Sequence, residues 1–434
     1  MKPPELSAPA GTFECLRAAC DHGADAVYVG VGHFNLRARS GNFSLEELND
    51  AITYVKQNGR KIYAALNIMP GDAVLDQIEK IIESMSIMDK LPDALIVSDP
   101  GVIVLCRRYL GTVPLHLSTQ TGTFNYLSAR FWQRQGITRI VLPREITLEE
   151  VWTFNKKVTV ETELFAHGAM CVSISGRCLL GAYIGGRHGH ANRGDCPQPC
   201  RLKYRIVPLE GDEAGDAEGI TIDEFPGISG RGGEAYLLNS KDLNTLPLLP
   251  RIIETGVSAL KIEGRNKSPH YVASVVKVYR EALDLCLEKP LEYFVRPQWT
   301  EELERLDHRT YTTGFYGTEN DLQEVRFSQT LSGLRITGSV KGVLTSGEAV
   351  IDVKNPFTIE DTFNVLPVKK GDDPYELRLT SLTDVNGNPI GRAITHRVVL
   401  AQCGSRLRVG DMLRCVHGNA GRTKAQTLAG QDRT

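Results

Sequence analysis

Seven short apolar runs alternate with helix-length segments before residue 170, and this alternation restricts the chain more than any other feature. The runs are PELSAPAG, ADAVYVG, KIYAALNIM, DALIVSD, PLHLSTQ, RIVLPRE and ETELFAHG, each bounded by Gly, Pro, Asp or Ser. Such runs read as buried strands. Between them, SLEELNDAITYVKQNG opens with Ser44 as N-cap and Glu47 three residues on, a capping box, and stops at Asn58-Gly59. VLDQIEKIIESMSIMDK and NYLSARFWQRQG carry apolar residues at helical spacing. Strands joined by helices form parallel sheets with right-handed crossovers. Strands that are apolar throughout are buried on both faces. Seven units favour a closed barrel over an open sheet. AYLLNS and VSALKIEG bring the strands to nine where a barrel takes eight, so one of them belongs to an insertion.

The expected fold class is therefore α/β. A (β/α) TIM-like barrel spans residues 1–325, with a cysteine-rich insertion at about 171–233. The late segment SPHYVASVVKVYREALDLCLEK reads as a helix with Ser268 as cap and Pro269 in its first turn. Beyond residue 320 the helical spacing disappears. RITGSV, GEAVIDVKN, DTFNVLPVK, ELRLTSLTD, RAITHRVVL and DMLRCVHG are strand-like, and Asn386-Gly387 is a turn signal. A small all-β barrel domain is expected over 330–420, and a disordered tail over 421–434.

A net charge of −2 marks no global polyanion binder, although residues 331–434 carry a local +4. That excess fits a C-terminal module that meets a polyanion. The first residues, MKPPELSAPAG, do not read as a secretion signal, and no run approaches the ~20 apolar residues of a membrane span. A cytoplasmic protein with no membrane partner is expected. In a reducing compartment, clustered cysteines point to metal binding or catalysis rather than disulfides.

Four of the ten cysteines cluster as Cys171-Val-Ser-Ile-Ser-Gly-Arg-Cys178 and Cys196-Pro-Gln-Pro-Cys200. Four thiolates suit Zn or an iron–sulfur cluster. The doubled CxxC of zinc ribbons is absent, and the wider spacing suits a cluster better than tetrahedral zinc. Cys171 follows the end of a predicted barrel strand, the face where barrel enzymes place their chemistry. The remaining cysteines stand singly, as small buried hydrophobes do.

Several strands end in polar groups that parallel strands would aim at one mouth. Among them His167, Glu263 and Arg265 are the catalytic candidates. Arg37, Asn67, Ser118, Gln120 and Arg144 are the substrate-binding candidates. With Arg39 and Arg177 nearby in the sequence, the arginines suit a substrate bearing carboxylates. No nucleophile elbow, P-loop or HExxH motif is present.

The segments LSAPAG, GADAVYVG, SDPG, HLSTQ, LPRE, HGAMCVSISGRC, CPQPCR and SALKIEGR resemble the collagenase-like peptidase family over about residues 4–320. VKNPFTIEDTFNVL in the C-terminal part resembles the tRNA hydroxylation branch of that family. The resemblance implies a [4Fe-4S] cluster on Cys171, Cys178, Cys196 and Cys200. It implies formation of 5-hydroxyuridine at the tRNA wobble position, independent of molecular oxygen and dependent on prephenate. Prephenate is a dicarboxylate, which suits the arginine-rich mouth, and tRNA would be the macromolecular partner. Three alternatives stay open: a collagenase-like peptidase, a non-enzymatic iron–sulfur accessory protein, and the same hydroxylation on rRNA or a quinone precursor.

Overall fold

The computed structural model describes residues 3–38, 40–186, 189–205, 234–317, 322–404 and 407–416. The expected tail and residues 206–233 of the expected insertion lie outside them. The chain divides into two compact units: residues 1–295 with 308–330, and residues 296–307 with 331–434.

In the first unit, β1 (Glu5–Ala10), β2 (Ala26–Gly30), β3 (Lys61–Leu66), β4 (Ala94–Val97), β5 (Leu115–Leu117), β6 (Ile137–Val141) and β7 (Glu161–Ala169) pair in chain order, each parallel to the last. β8 (Asp242–Asn244) runs antiparallel to the end of β7. β9 (Ala259–Ile262) pairs in parallel with both β7 and β1, which closes an eight-stranded parallel barrel. The expected (β/α) barrel is present. The surplus ninth run is also explained: Ala235, the first residue of AYLLNS, pairs with Tyr204 of the expected insertion, and Ser240, its last, bridges to Gln323, so the run adds no strand to the parallel barrel.

Local signals place the helices. Ser44 and Glu47 form the expected capping box on the helix Leu45–Gln57. The Asp99 carboxylate accepts from the Gly101 and Val102 amides and starts the helix Pro100–Tyr109. Asp99 is thus the N-cap of this helix. Ser268 caps the long helix Pro269–Glu288.

The barrel interior is not wholly apolar. From its lower end, Lys61 and Arg139 each lie 2.8 Å from Glu5, and Tyr63 donates to Glu5 at 2.6 Å. Arg139 reaches Glu161 at 2.8 Å and Glu163 at 3.5 Å, and Glu163 holds Lys261 at 2.9 Å near the upper mouth. Every charge in this chain has an opposite partner, which is what makes ions tolerable in a barrel core.

The second unit is a closed antiparallel barrel. Its strands are β11 (Leu334–Val343), β12 (Ala349–Val353), β13 (Thr362–Leu366), β14 (Tyr375–Thr383), β15 (Val398–Cys403) and β16 (Met412–Val416), numbered after β10 (Tyr311–Thr312) of the first unit. Val340, Ile351, Phe363, Leu377, Val399 and Leu413 fill it. The fully buried Arg414 is neutralised by Glu302 from the helix Pro297–Glu304, which belongs to this unit. The Asn386-Gly387 turn is formed, with the Asp384 carboxylate accepting from the Asn386 and Asn388 amides.

Burial opposes ionisation of Glu5, but hydrogen bonding and attraction from Arg139, with help from Lys61 and Tyr63, hold its carboxyl at about 2, below the ordinary 4.5. A depressed folded-state value contributes stability above the unfolded value and loses it as pH falls through the folded one. Here that amounts to roughly 3 kcal/mol, lost between about pH 4.5 and 2. Urea unfolding at stepped pH should show this loss in the wild type and a flatter profile in Glu5→Gln. Equal slopes in the two proteins would contradict it.

Candidate active site

A cavity of about 290 Å³ opens at the C-terminal ends of the barrel strands. It brings together Arg37, Asn67, Ser118, Arg144, Glu263 and Arg265 with all four clustered cysteines. Two sequence candidates do not line it: His167 and Gln120.

Glu263 stands between two guanidiniums, 3.0 Å from Arg37 and 3.2 Å from Arg144. Burial alone would raise its carboxyl, but Arg37 and Arg144 outweigh burial and hold it below its ordinary value. Arg144 also donates to the Ala169 carbonyl at 2.8 Å and stacks over Phe165 at 3.9 Å. Arg265 acts as a tie rather than a free cation. It donates to Asn35 at 2.8 Å, Asn42 at 2.5 Å and the Gly41 carbonyl at 3.1 Å, fixing the loop that carries Arg37. Gly30 leaves room for it, since a Cβ there would lie 2.1 Å from the Arg265 guanidinium. Burial lowers Arg265 to about 10, so it stays charged at neutral pH. Asn67 donates to Ser118 Oγ at 3.1 Å and accepts from the Leu36 amide at 3.3 Å.

His167 is buried away from the cavity, with its ring centroid 5.4 Å from those of Tyr279 and Tyr311 and 6.1 Å from Tyr271. Its Nδ1 has no hydrogen-bond partner, and burial pushes its pKa down to about 3. A neutral, enclosed imidazole has no proton to give at pH 7. The register shows why the ring is there: Lys261 pairs with Phe165 and Ile262 with His167, so β7 bulges at Ala166. A bulge reverses the inside–outside alternation beyond it. Gln120 is fully buried, and neither of its amide atoms finds a partner.

Three further residues build the site. Lys261 lines the cavity floor, with its Nζ 2.9 Å from Glu163 and 3.9 Å from the Tyr28 ring centroid. The signal for it was there: Lys261, Glu263 and Arg265 alternate as residues on one face of a strand do. Glu145 accepts from the Ser175 amide at 2.6 Å and its hydroxyl at 3.0 Å. This holds Ser175 at φ 48, a left-handed conformation uncommon outside glycine, between Cys171 and Cys178. Arg309 is bound to Asp242 at 2.6 Å and donates to the Met170 carbonyl at 3.3 Å, steadying the residue before Cys171.

Asn192 and Cys178 exchange backbone–side-chain bonds of 3.2 Å each way, and the Met69 amide bonds to the Asn192 carbonyl. These contacts tie the second cysteine to the loop leading to the third. Burial raises the Cys196 and Cys200 thiols, and the neighbouring thiols push the same way. Among the described residues, no three His, Cys, Asp or Glu side chains gather about a point where they could hold one metal ion.

The sequence model of peptidase family U32 matches residues 11–326, the whole span that builds this cavity. The chain belongs to peptidase family U32. Among its relatives in that family, tRNA hydroxylation protein P1 of Bacillus subtilis is 36% identical over 328 residues, 76% of this chain and 74% of that protein. tRNA hydroxylation protein P of Escherichia coli is 36% identical over 401 residues, 84% of this chain and 86% of that protein. A 23S rRNA 5-hydroxycytidine synthase of Escherichia coli is 34% identical over 285 residues, 66% of this chain and 40% of that protein.

In this U32 chain, removing the Glu263 carboxylate leaves two guanidiniums facing each other in a largely buried mouth. A fully buried broken pair costs about 3–5 kcal/mol. Arg37 keeps some contact with water, so Glu263→Ala should lower the unfolding free energy by roughly 2–3 kcal/mol. Urea unfolding measures this, and a loss below about 0.5 kcal/mol, the size of an ordinary surface substitution, would contradict the role given to Glu263.

Proposed function

We propose that this U32 protein is a tRNA-modifying hydroxylase that makes 5-hydroxyuridine at the wobble position. It would carry a [4Fe-4S] cluster on Cys171, Cys178, Cys196 and Cys200 and act without molecular oxygen. The observation that carries the proposal is the placement of all four cysteines on one cavity with Arg37, Arg144 and Lys261. Relatives named for RNA hydroxylation support the substrate class.

The donor set fits a cluster. Thiolates are its ordinary ligands, and all four of these cysteines line the one cavity. When bound, such a cluster supplies one-electron transfer. The chain's own residues would do the rest. Arg37, Arg144 and Arg265 set three guanidiniums against the carboxylates of Glu263 and Glu145, and the surplus positive charge favours anionic occupants. Lys261 on the floor adds an ammonium with further N–H groups to offer. A small dicarboxylate co-substrate, prephenate in this proposal, would be oriented by these cations. Asn67 and Ser118 present polar atoms at the opposite strands. The second unit, with its local excess of basic residues, would add phosphate contacts to tRNA. A tRNA substrate would put the protein in the cytoplasm. No helix among the described residues is long and apolar enough to cross a membrane.

A peptidase is the second reading that the family name raises. Among the described residues the cavity lining includes no histidine to activate a nucleophile. The relatives named for RNA hydroxylation favour that reading over the peptidase.

Nucleoside analysis of tRNA and rRNA from a strain lacking the gene tests the proposal. The hydroxylated uridine should vanish from tRNA, return with the wild-type gene, and stay absent with Cys196→Ala/Cys200→Ala. Intact tRNA with altered rRNA would move the substrate to rRNA. Unchanged RNA, with gelatin cleavage that survives the cysteine variant, would favour the peptidase.

A further inference from the structure

The cysteine segment does more than line the cavity. Residues 171–205 contain six Lys and Arg against one Asp, a net +5 in a chain whose total is −2. This is a denser positive charge than that of the C-terminal unit. The same segment exposes an unusual amount of apolar surface. Tyr183 is 84% exposed, and Val172, Ile174, Leu179, Ile184 and Leu202 are also open to solvent.

The short helix Leu180–Gly185 shows how the patch relates to the cavity. Leu180 lines the cavity wall. Residues three and four further along a helix share its face. Tyr183 and Ile184 therefore continue the cavity-facing stripe outward, past the rim. The helix is held there by close backbone packing: a Cβ on Gly189 would lie 1.8 Å from the Gly181 carbonyl, and one on Gly181 would meet Pro197. Arg177 and Arg193, both exposed, form no ion pair among the described residues. An exposed aromatic and unpaired arginines in the one segment that lines the cavity are the composition of a single-strand RNA platform. Bases stack on the ring, and the guanidiniums meet phosphates. A protein partner of matching apolar surface would not call for so much positive charge, and charge complementarity therefore favours RNA.

We propose that the described parts of the cysteine-bearing segment, residues 171–186 and 189–205, form an RNA-binding lip. Tyr183 stacks on a nucleotide flanking the one that enters the cavity, and Arg177 and Arg193 contact the adjoining phosphates. This rests on the RNA-hydroxylase reading above. It adds a contact surface on the barrel unit itself, independent of the C-terminal unit. An enzyme that takes a base out of its strand needs such a surface, because the neighbours of the extracted base must be held while it is displaced.

The test is fluorescence anisotropy of the full-length protein, purified anaerobically, with a short labelled single-stranded oligoribonucleotide. Tyr183→Ala should weaken binding about tenfold, the usual effect of removing one stacking ring, and Tyr183→Trp should bind as the wild type does. Arg177→Gln with Arg193→Gln should reduce the slope of log affinity against log salt by about 1.4, two single-strand phosphate contacts. Thermal unfolding of each variant shows that the fold is kept, and none of these residues is a cluster ligand. Affinity within about twofold of wild type for Tyr183→Ala, together with an unchanged salt slope, overturns the lip. So does a wild-type oligomer that dissociates on Tyr183→Ala while RNA affinity holds, since the patch would then be a self-interface. If the wild type binds RNA and restores hydroxylated uridine in cells while the variants match it, the lip alone is wrong. If the wild type neither binds RNA nor restores the nucleoside, the hydroxylase reading fails with it.

Discussion

Two guanidiniums meet one carboxylate where Arg37 and Arg144 close on Glu263, and the geometry of the mouth follows from that contact. Arg37 arrives from the loop after β2, Arg144 from the end of β6, and Glu263 from the end of β9. Three separate crossovers are thereby locked at one point. Arg265 repeats the device one pleat further on, tying the Arg37 loop through Asn35 and Asn42. The cost of burying like charges is offset only in part by Glu263. The remaining positive charge is what would favour thiolates and anionic substrates together in the proposed function.

Below the mouth, the chain of ion pairs from Glu5 through Arg139 and Glu163 to Lys261 links the lower rim to the cavity floor. Each member is held by the next, so Lys261 presents its ammonium in a fixed place rather than on a free side chain. The cysteine segment is anchored with comparable care. Arg309 and Ser240 both bond the Met170 carbonyl, Glu145 holds the left-handed Ser175, and Asn192 bridges to Cys178. A barrel of stiff strands thus supports a loop-built set of thiols.

Much of this was legible in the residues. Continuous apolar runs separated by capped helices announce a parallel barrel, because strands buried on both faces have no reason to alternate. The all-β unit was visible in the loss of helical spacing and in turn signals such as Asn386-Gly387. The convergence of Arg37, Asn67, Ser118, Arg144, Glu263 and the four cysteines followed from one rule, that parallel strands aim their ends at one mouth. His167 escaped that rule because a one-residue bulge at Ala166 turns its ring toward Tyr271 and Tyr279, and pairing irregularities leave no mark on composition. Lys261 was passed over although it alternates with Glu263 and Arg265, because a lysine inside a barrel strand makes sense only with the partner, Glu163, that β7 supplies. AYLLNS was indistinguishable from a barrel strand by local pattern; only its pairings, Ala235 with Tyr204 and Ser240 with Gln323, set it apart from the barrel.

The central claim is that four thiolates at the mouth of a positively charged barrel hold an iron–sulfur cluster. Iron, sulfide and zinc analysis of anaerobically purified protein, with its absorption spectrum, tests this most directly beside the Cys196→Ala/Cys200→Ala variant. The account predicts about four irons and four sulfides per chain with broad absorbance near ~400 nm, all lost in the variant. A colourless protein with stoichiometric zinc would contradict it.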